Sequence, residues 1–146
     1  SYVYRYLLYS QERKIVSLAE ELEFMDAYLY LLKIRFGENI FIHKNIQTDV
    51  EKFHIAPATL QMLIENAIKH NVVSGKAPLK IEITSLNGSI TVANNLQEKK
   101  VKEPSAYVGL KNIKKRYEFL SNKPVEIKKT DSEFIVKVPL VRIEPS

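Results

Sequence analysis

The chain contains no cysteine, which excludes a disulfide framework and any thiolate metal site. Its three histidines, His43, His54 and His70, lie far apart without ligand spacing, so a metal ion would have to arrive with another ligand. No apolar run approaches the roughly 20 residues of a membrane span, and Ser1 is not followed by a signal-peptide pattern. A soluble, cytoplasmic piece is therefore expected. With neither Met nor a recognisable cap before Tyr2, the chain reads as starting inside a helix, as part of something longer. It has no internal repeat.

What is present suits a single core. At 146 residues, 45% hydrophobic and 27% charged, the chain is about one globular domain that needs no staples. Its formal charge of +5 fits an anionic partner, whether nucleotide, nucleic acid or an acidic protein surface.

Pro57 to Asn71 organises the rest. Leu60, Leu63, Ile64, Ala67 and Ile68 recur at the spacing of one helix face, and Pro57 suits a first turn because its missing N–H costs nothing there. The other side carries Glu65, Asn66, Lys69 and His70, and Asn66 and His70, one turn apart, can reach the same ligand. Taken alone, the same residues also describe a surface Glu65–Lys69 pair and a histidine favoured by the helix dipole.

Earlier in the chain, Tyr2, Tyr6 and Tyr9 share one side of a possible helix, a stripe that suits packing on another helix better than stacking on bases. Ser17-Leu18-Ala19-Glu20 has the form of a capping box, so a helix starts near Leu18. Leu18, Leu22, Met25, Leu29, Leu32 and Phe36 follow at steps of four and three, the period of packed helices that need a neighbour, and Gly37 is a natural stop.

Beyond Gly37 the period changes to two. Ile40, Ile42 and Ile46 alternate with Phe41, His43 and Asn45, as in a strand with His43 outward. Phe53-His54-Ile55 is a short extended stretch. Leu79 to Thr84 and Ser89 to Val92 alternate about Asn87-Gly88, the strongest short-range hairpin signal. Val125 to Ile127 and Phe134 to Val138 flank Thr130-Asp131-Ser132 in the same way. Between the hairpins a helix would turn Leu110, Ile113, Tyr117 and Leu120 inward and Lys111, Lys114, Lys115 and Arg116 outward. This order of elements predicts an α+β fold, a two-layer α/β sandwich with a mostly antiparallel mixed sheet covered on one face by helices, plus an N-terminal helical segment.

Leu63-Ile64-Glu65-Asn66-Ala67-Ile68-Lys69-His70 resembles the N box of LytS-like sensor histidine kinases, members of the ATPase superfamily that includes gyrase and heat-shock chaperones. Arg5-Tyr6, Tyr28 to Gly37, and Gly109-Leu110-Lys111-Asn112-Ile113 with Arg116-Tyr117 extend the resemblance over almost the whole chain. It implies a Bergerat-type ATP-binding domain over residues 38–146. Residues 1–37 would then be the end of the helical dimerisation and linker segment. The implied cofactors are ATP and Mg2+. The implied partners are upstream dimerising helices that carry the phosphoacceptor histidine, a second copy of the parent protein, and a response regulator. Nucleic acid is not among them, and the parent would meet the membrane only through parts outside this chain.

Residue by residue, the resemblance makes Asn66 the amide that holds Mg2+ against the nucleotide phosphates, a hard oxygen ligand of the kind magnesium accepts. Lys69 and His70 would contact phosphate or ribose oxygens. Gly109, with Leu110 and Lys111, opens the last helix, whose free N–H groups suit a phosphate; the family's preceding glycine is replaced by Tyr107. Asn94 and Asn95 stand where the family carries Asp-x-Gly-x-Gly, and the Asn94 carbonyl could still accept from the adenine amino group. Leu96 to Ser105, with Lys99, Lys100 and Lys102, takes the place of the ATP lid. The catalytic candidates are Asn66 and Glu65, although Glu65 points about 100° away around the helix and Met62 stands one turn before Asn66.

Two rivals remain at this stage. Asn94, Tyr107 and the absent lid glycines also fit a module of the same fold that has lost nucleotide and acts as a signalling scaffold. The lysine face of the last helix fits a basic nucleic-acid binder, though no recognised motif accompanies it.

Overall fold

The period-two stretches form the sheet and the period-3.6 stretches cover it, in a computed structural model that describes residues 1–101 and 107–143. Among the described residues, four α-helices, α1 (Tyr2–Ser10), α2 (Leu18–Phe36), α3 (Thr59–His70) and α4 (Val108–Leu120), are interspersed with eight strands. The main sheet contains β2 (Ile40–Ile46), β4 (Leu79–Leu86), β5 (Ser89–Asn95), β6 (Glu126–Lys129) and β7 (Glu133–Pro139), in the order β2-β4-β5-β7-β6. The β2–β4 pair is parallel and the other pairs are antiparallel. The chain between β2 and β4 contains α3.

One face of the sheet is the core. Leu79, Ile81, Ile83, Ile90, Val92, Val136 and Val138 are buried in one cluster with Leu60, Leu63, Ile64 and Ala67 of α3 and Ile113 and Tyr117 of α4. Each such aliphatic side chain contributes about 1.5–3 kcal/mol through burial, so the α3 stripe fixes which way its other face turns. Residues of alternate register, such as Lys80 and Glu82, are exposed on the opposite face. At the first hairpin Asn87 and Gly88 take φ of 54° and 80°, the left-handed pair that a type I′ turn requires.

Half of the expected capping box forms: the Ser17 side chain accepts from the Glu20 N–H, while the Glu20 side chain makes no return bond to the Ser17 N–H; α2 stops at Gly37, where φ is 57°. Leu18, Met25 and Leu32 are buried in the main core, with Leu22, Leu29 and Phe36 packed against it, so the neighbour that this seam requires is the domain's own sheet and α3.

Three features depart from the sequence expectations. Ser1 does cap α1, accepting from the Tyr4 N–H. Helix α3 begins at Thr59, leaving Pro57 outside it, because Ala58 adopts a left-handed conformation with φ of 66°. A small sheet, β1 (Val16–Ser17), β3 (Phe53–Ile55) and β8 (Val141–Arg142), joins segments too short to show periodicity. Lys102 and Ser105, at the end of the expected lid, lie outside the described residues.

Candidate functional site

The polar side of α3 faces two hollows that meet at Asn66. The first, about 250 Å³, is bordered by Asn66, Ala67, His70 and Asn71 of the α3 segment, Asn94 and Leu96 at the end of β5, and Leu110 of α4, with Ile127 and Phe134 from the second hairpin. Its walls are mainly apolar, the kind of slot that suits a flat ring. The second, about 230 Å³, lies between α3 and α4 and is lined by Met62, Glu65, Asn66, Lys69, Val108, Gly109 and Asn112. An apolar slot and a polar cleft thus share one amide.

Asn66 is 7% exposed, and its side chain makes no hydrogen bond to the described residues. Its polar atoms open onto the hollows rather than being sealed in the interior, so solvent or a ligand can satisfy them. Its oxygen is therefore well suited to a hard cation carried by a ligand. Among the described residues no group of three or more His, Asp or Glu could hold a metal ion by itself.

Asn94 sits on the core face of β5, 4% exposed, because its register opposite Ile81 and Phe134 points it inward. Its amide nitrogen donates to the Asn95 carbonyl at 2.7 Å, which leaves the amide oxygen as the acceptor for a ligand in the slot. Asn95 alternates away: it accepts from the Lys80 N–H at 2.7 Å and donates to the Pro78 carbonyl at 3.3 Å. It lines neither hollow, and Lys111 is exposed and lines neither.

Glu65 borders the cleft but is tied elsewhere. It accepts from Gln61 Nε2 at 2.9 Å and from the Tyr28 hydroxyl of α2, which burial and then the Glu65 carboxylate push up in pKa, so that it remains a donor. Tyr107, 60% exposed, stands edge-on to His70 with ring centroids 4.8 Å apart. At the rim Lys129 and Glu98 form an ion pair of 2.7 Å.

Sequence reasoning missed Asn71. It is buried at the end of α3, donates to the Ala67 carbonyl at 2.9 Å and accepts from the Gln97 N–H at 2.8 Å. Backbone bonds from Val72 to Gln97 and from Lys99 to His70, each 2.9 Å, reinforce the junction. The first residues of the 96–105 connection are thereby fastened to the rim. An asparagine just past a helix end was the available signal, but its partner across the junction, Gln97, is 26 residues away in sequence. Ile127 and Phe134 were legible as inward strand residues; that they reach this slot depends on the strand order.

Comparison with known proteins gives an agreeing picture. Residues 1–40 match the sequence profile of the family described as Histidine kinase. The sensor protein LytS of Oceanobacillus iheyensis is 34% identical over 80 residues, 53% of this chain and 14% of that protein. The sensor protein LytS of Bacillus subtilis is 30% identical over 92 residues, 63% of this chain and 16% of that protein. The chain thus matches only about a seventh of the length of these relatives. The catalytic domain of the histidine kinase ThkA, in a nucleotide-free form, superposes with a TM-score of 0.53 at 18% identity, covering 86% of this chain and 94% of that one. At that identity the likeness establishes the fold.

Proposed function

Starting from a chain that is akin in sequence to LytS sensor histidine kinases and has the fold of a histidine-kinase catalytic domain, we propose that it is the ATP-binding catalytic domain of a two-component sensor kinase. In this reading it presents the γ-phosphoryl group of ATP to a histidine on dimerising helices upstream of Ser1, for relay to a response regulator. Residues 1–37 would lead from those helices into the ATP-binding domain of residues 38–146. The domain would be cytoplasmic and its parent membrane-attached; no helix among the described residues is long and apolar enough to cross a membrane.

The observation that carries the proposal is Asn66, an amide without a side-chain partner at the meeting point of an apolar slot and a polar cleft. The slot takes the adenine, with the Asn94 oxygen accepting from its amino group. The cleft takes the phosphates, near Lys69 and the backbone around Gly109. Mg2+, when bound, supplies charge neutralisation on the phosphates, and Asn66 is the residue that would hold it. Phosphoryl transfer asks the protein chiefly for positioning and electrostatic stabilisation, and these residues are suited to both.

The test is thermal protection by a non-hydrolysable ATP analogue with Mg2+. A ligand at 100 times its Kd stabilises the native state by about 2.7 kcal/mol. Wild type should show such protection and Asn66→Ala should lose most of it; equal protection of the two would remove the role of Asn66. The nucleotide-free scaffold has one observation in its favour, the Tyr107 ring beside His70. Absence of protection in wild type would favour that reading.

A further inference from the structure

The start of α3 lacks a local cap. Its N-cap residue, Ala58, has no side-chain acceptor, and a helix leaves its first N–H groups without intrahelical partners. A carboxylate from another helix fills the gap. Glu21 of α2 is fully buried; its Oε1 accepts from the Ala58 N–H at 2.9 Å and its Oε2 from the Leu60 N–H at 3.0 Å. The third donor is the Tyr6 hydroxyl of α1, also on Oε1 at 2.9 Å. All three partners are donors, so only an acceptor satisfies them together.

The same turn is held from a third side. The Tyr117 hydroxyl of α4 accepts from the Ala56 N–H at 3.1 Å and lies 2.9 Å from Thr59 Oγ1, while Arg116 donates to the Pro57 carbonyl at 3.1 Å. Helices α3 and α4 wall the polar cleft, and residues 56–59 are where α1, α2 and α4 all meet the start of α3. Asn66 lies six residues beyond Leu60, about 9 Å along the helix. A buried, hydrogen-bonded carboxylate thus grips the first turn of α3 less than two turns before the amide of Asn66. Tyr6 is itself seated by stacking on Phe24, with centroids 4.1 Å apart and planes 8° from parallel.

We propose that Glu21 is a positioning residue for the nucleotide site, and that Tyr6 makes its setting answer to α1. The inference rests on the nucleotide reading given above for what the site binds; the link from α1 to α3 stands on the hydrogen bonds alone. A shift of α1 that withdraws the Tyr6 hydroxyl leaves the carboxylate one donor short and loosens its hold on the first turn of α3. By reciprocity, a ligand that orders Asn66 must tighten the seat of Tyr6.

The experiment has two arms on the full chain, with Tyr6→Phe, Glu21→Gln and, as a control on the same helix, Tyr4→Phe. In the first arm, hydrogen exchange is read without nucleotide. Tyr6→Phe and Glu21→Gln should speed exchange across residues 59–70 while β4 and β5 keep wild-type rates; no change there, or an equal rise in every element, overturns the proposal. In the second, affinity for the Mg2+–ATP analogue should fall about fivefold for Tyr6→Phe and about tenfold for Glu21→Gln, within the usual range of coupling between sites. Tyr4→Phe should match wild type. Wild-type affinity in either substituted protein overturns the positioning role. If wild type itself fails to bind, the nucleotide reading falls and the exchange arm alone decides the link. If Glu21→Gln does not fold, Tyr6→Phe decides it.

Discussion

Replacing Asn71 by alanine should detach the rim of the slot at a cost that can be worked out. The side chain is 1% exposed and makes two bonds, to the Ala67 carbonyl and from the Gln97 N–H. Truncation removes both and leaves the part-buried Gln97 N–H facing a methyl group. A net hydrogen bond is worth about 1 kcal/mol and an orphaned buried group costs about 1–3, so a loss of about 2–3 kcal/mol is expected after partial relaxation. For 146 residues, an unfolding entropy of roughly 2.1 cal/mol/K per residue converts this to a fall in Tm of about 6–10 °C. Differential scanning calorimetry reads it directly. Asn71→Asp should recover only part of the loss, because a carboxylate still accepts from Gln97 but cannot donate to Ala67 and meets the negative end of the helix dipole. A fall of less than about 2 °C for Asn71→Ala would refute the reasoning, since both bonds would then be replaceable by water.

Three further outcomes are expected. Tyr117→Phe leaves the Ala56 N–H without its acceptor and should cost about 1–3 kcal/mol in urea unfolding with an unchanged m-value; a neutral substitution would show that the hydroxyl carries no structural role. Burial, opposed by the hydrogen bonds it accepts, pushes the Glu21 carboxyl above its ordinary 4.5. The folded state then holds this proton more tightly than the unfolded chain, so the group's contribution is greatest below 4.5 and declines as pH rises through the folded value. Urea midpoints of wild type and Glu21→Gln should therefore converge or cross with rising pH rather than run parallel. Asn94→Asp gives up the donor to the Asn95 carbonyl and should lower Tm, while a charge-assisted acceptor strengthens the bond to an adenine amino group. Its preference for ATP over GTP should rise in competition binding, and an unchanged preference would remove Asn94 from base recognition.

Much of this was legible in the chain because local and global signals agree. The Asn87-Gly88 hairpin, the Ser17 cap, the Gly37 stop and the apolar stripe of α3 each follow from one short stretch, and each forms. The inward face of α4 followed from the spacing of Ile113 and Tyr117, both buried. What escaped reading was set by partners distant in sequence. Nothing near Ala58 announces that its helix is capped by a residue 37 positions earlier. Glu21 reads as an ordinary acidic residue in a first turn, where the dipole favours it anyway. In the same way Asn95 looked equivalent to Asn94, and only the strand register assigns one to the slot and the other to a strand end.

The parallel pairing of β2 with β4 has a consequence for how the protein tolerates being cut. Strands adjacent in sequence, such as β4 with β5 and β6 with β7, keep each other's company even when a distant peptide bond is severed. The outer strand β2 instead depends on residues 47–78 to bring it alongside β4, and those residues include the helix that bears Asn66. A single protease cleavage or an inserted tag in that span would loosen the sheet margin and blind the pocket together.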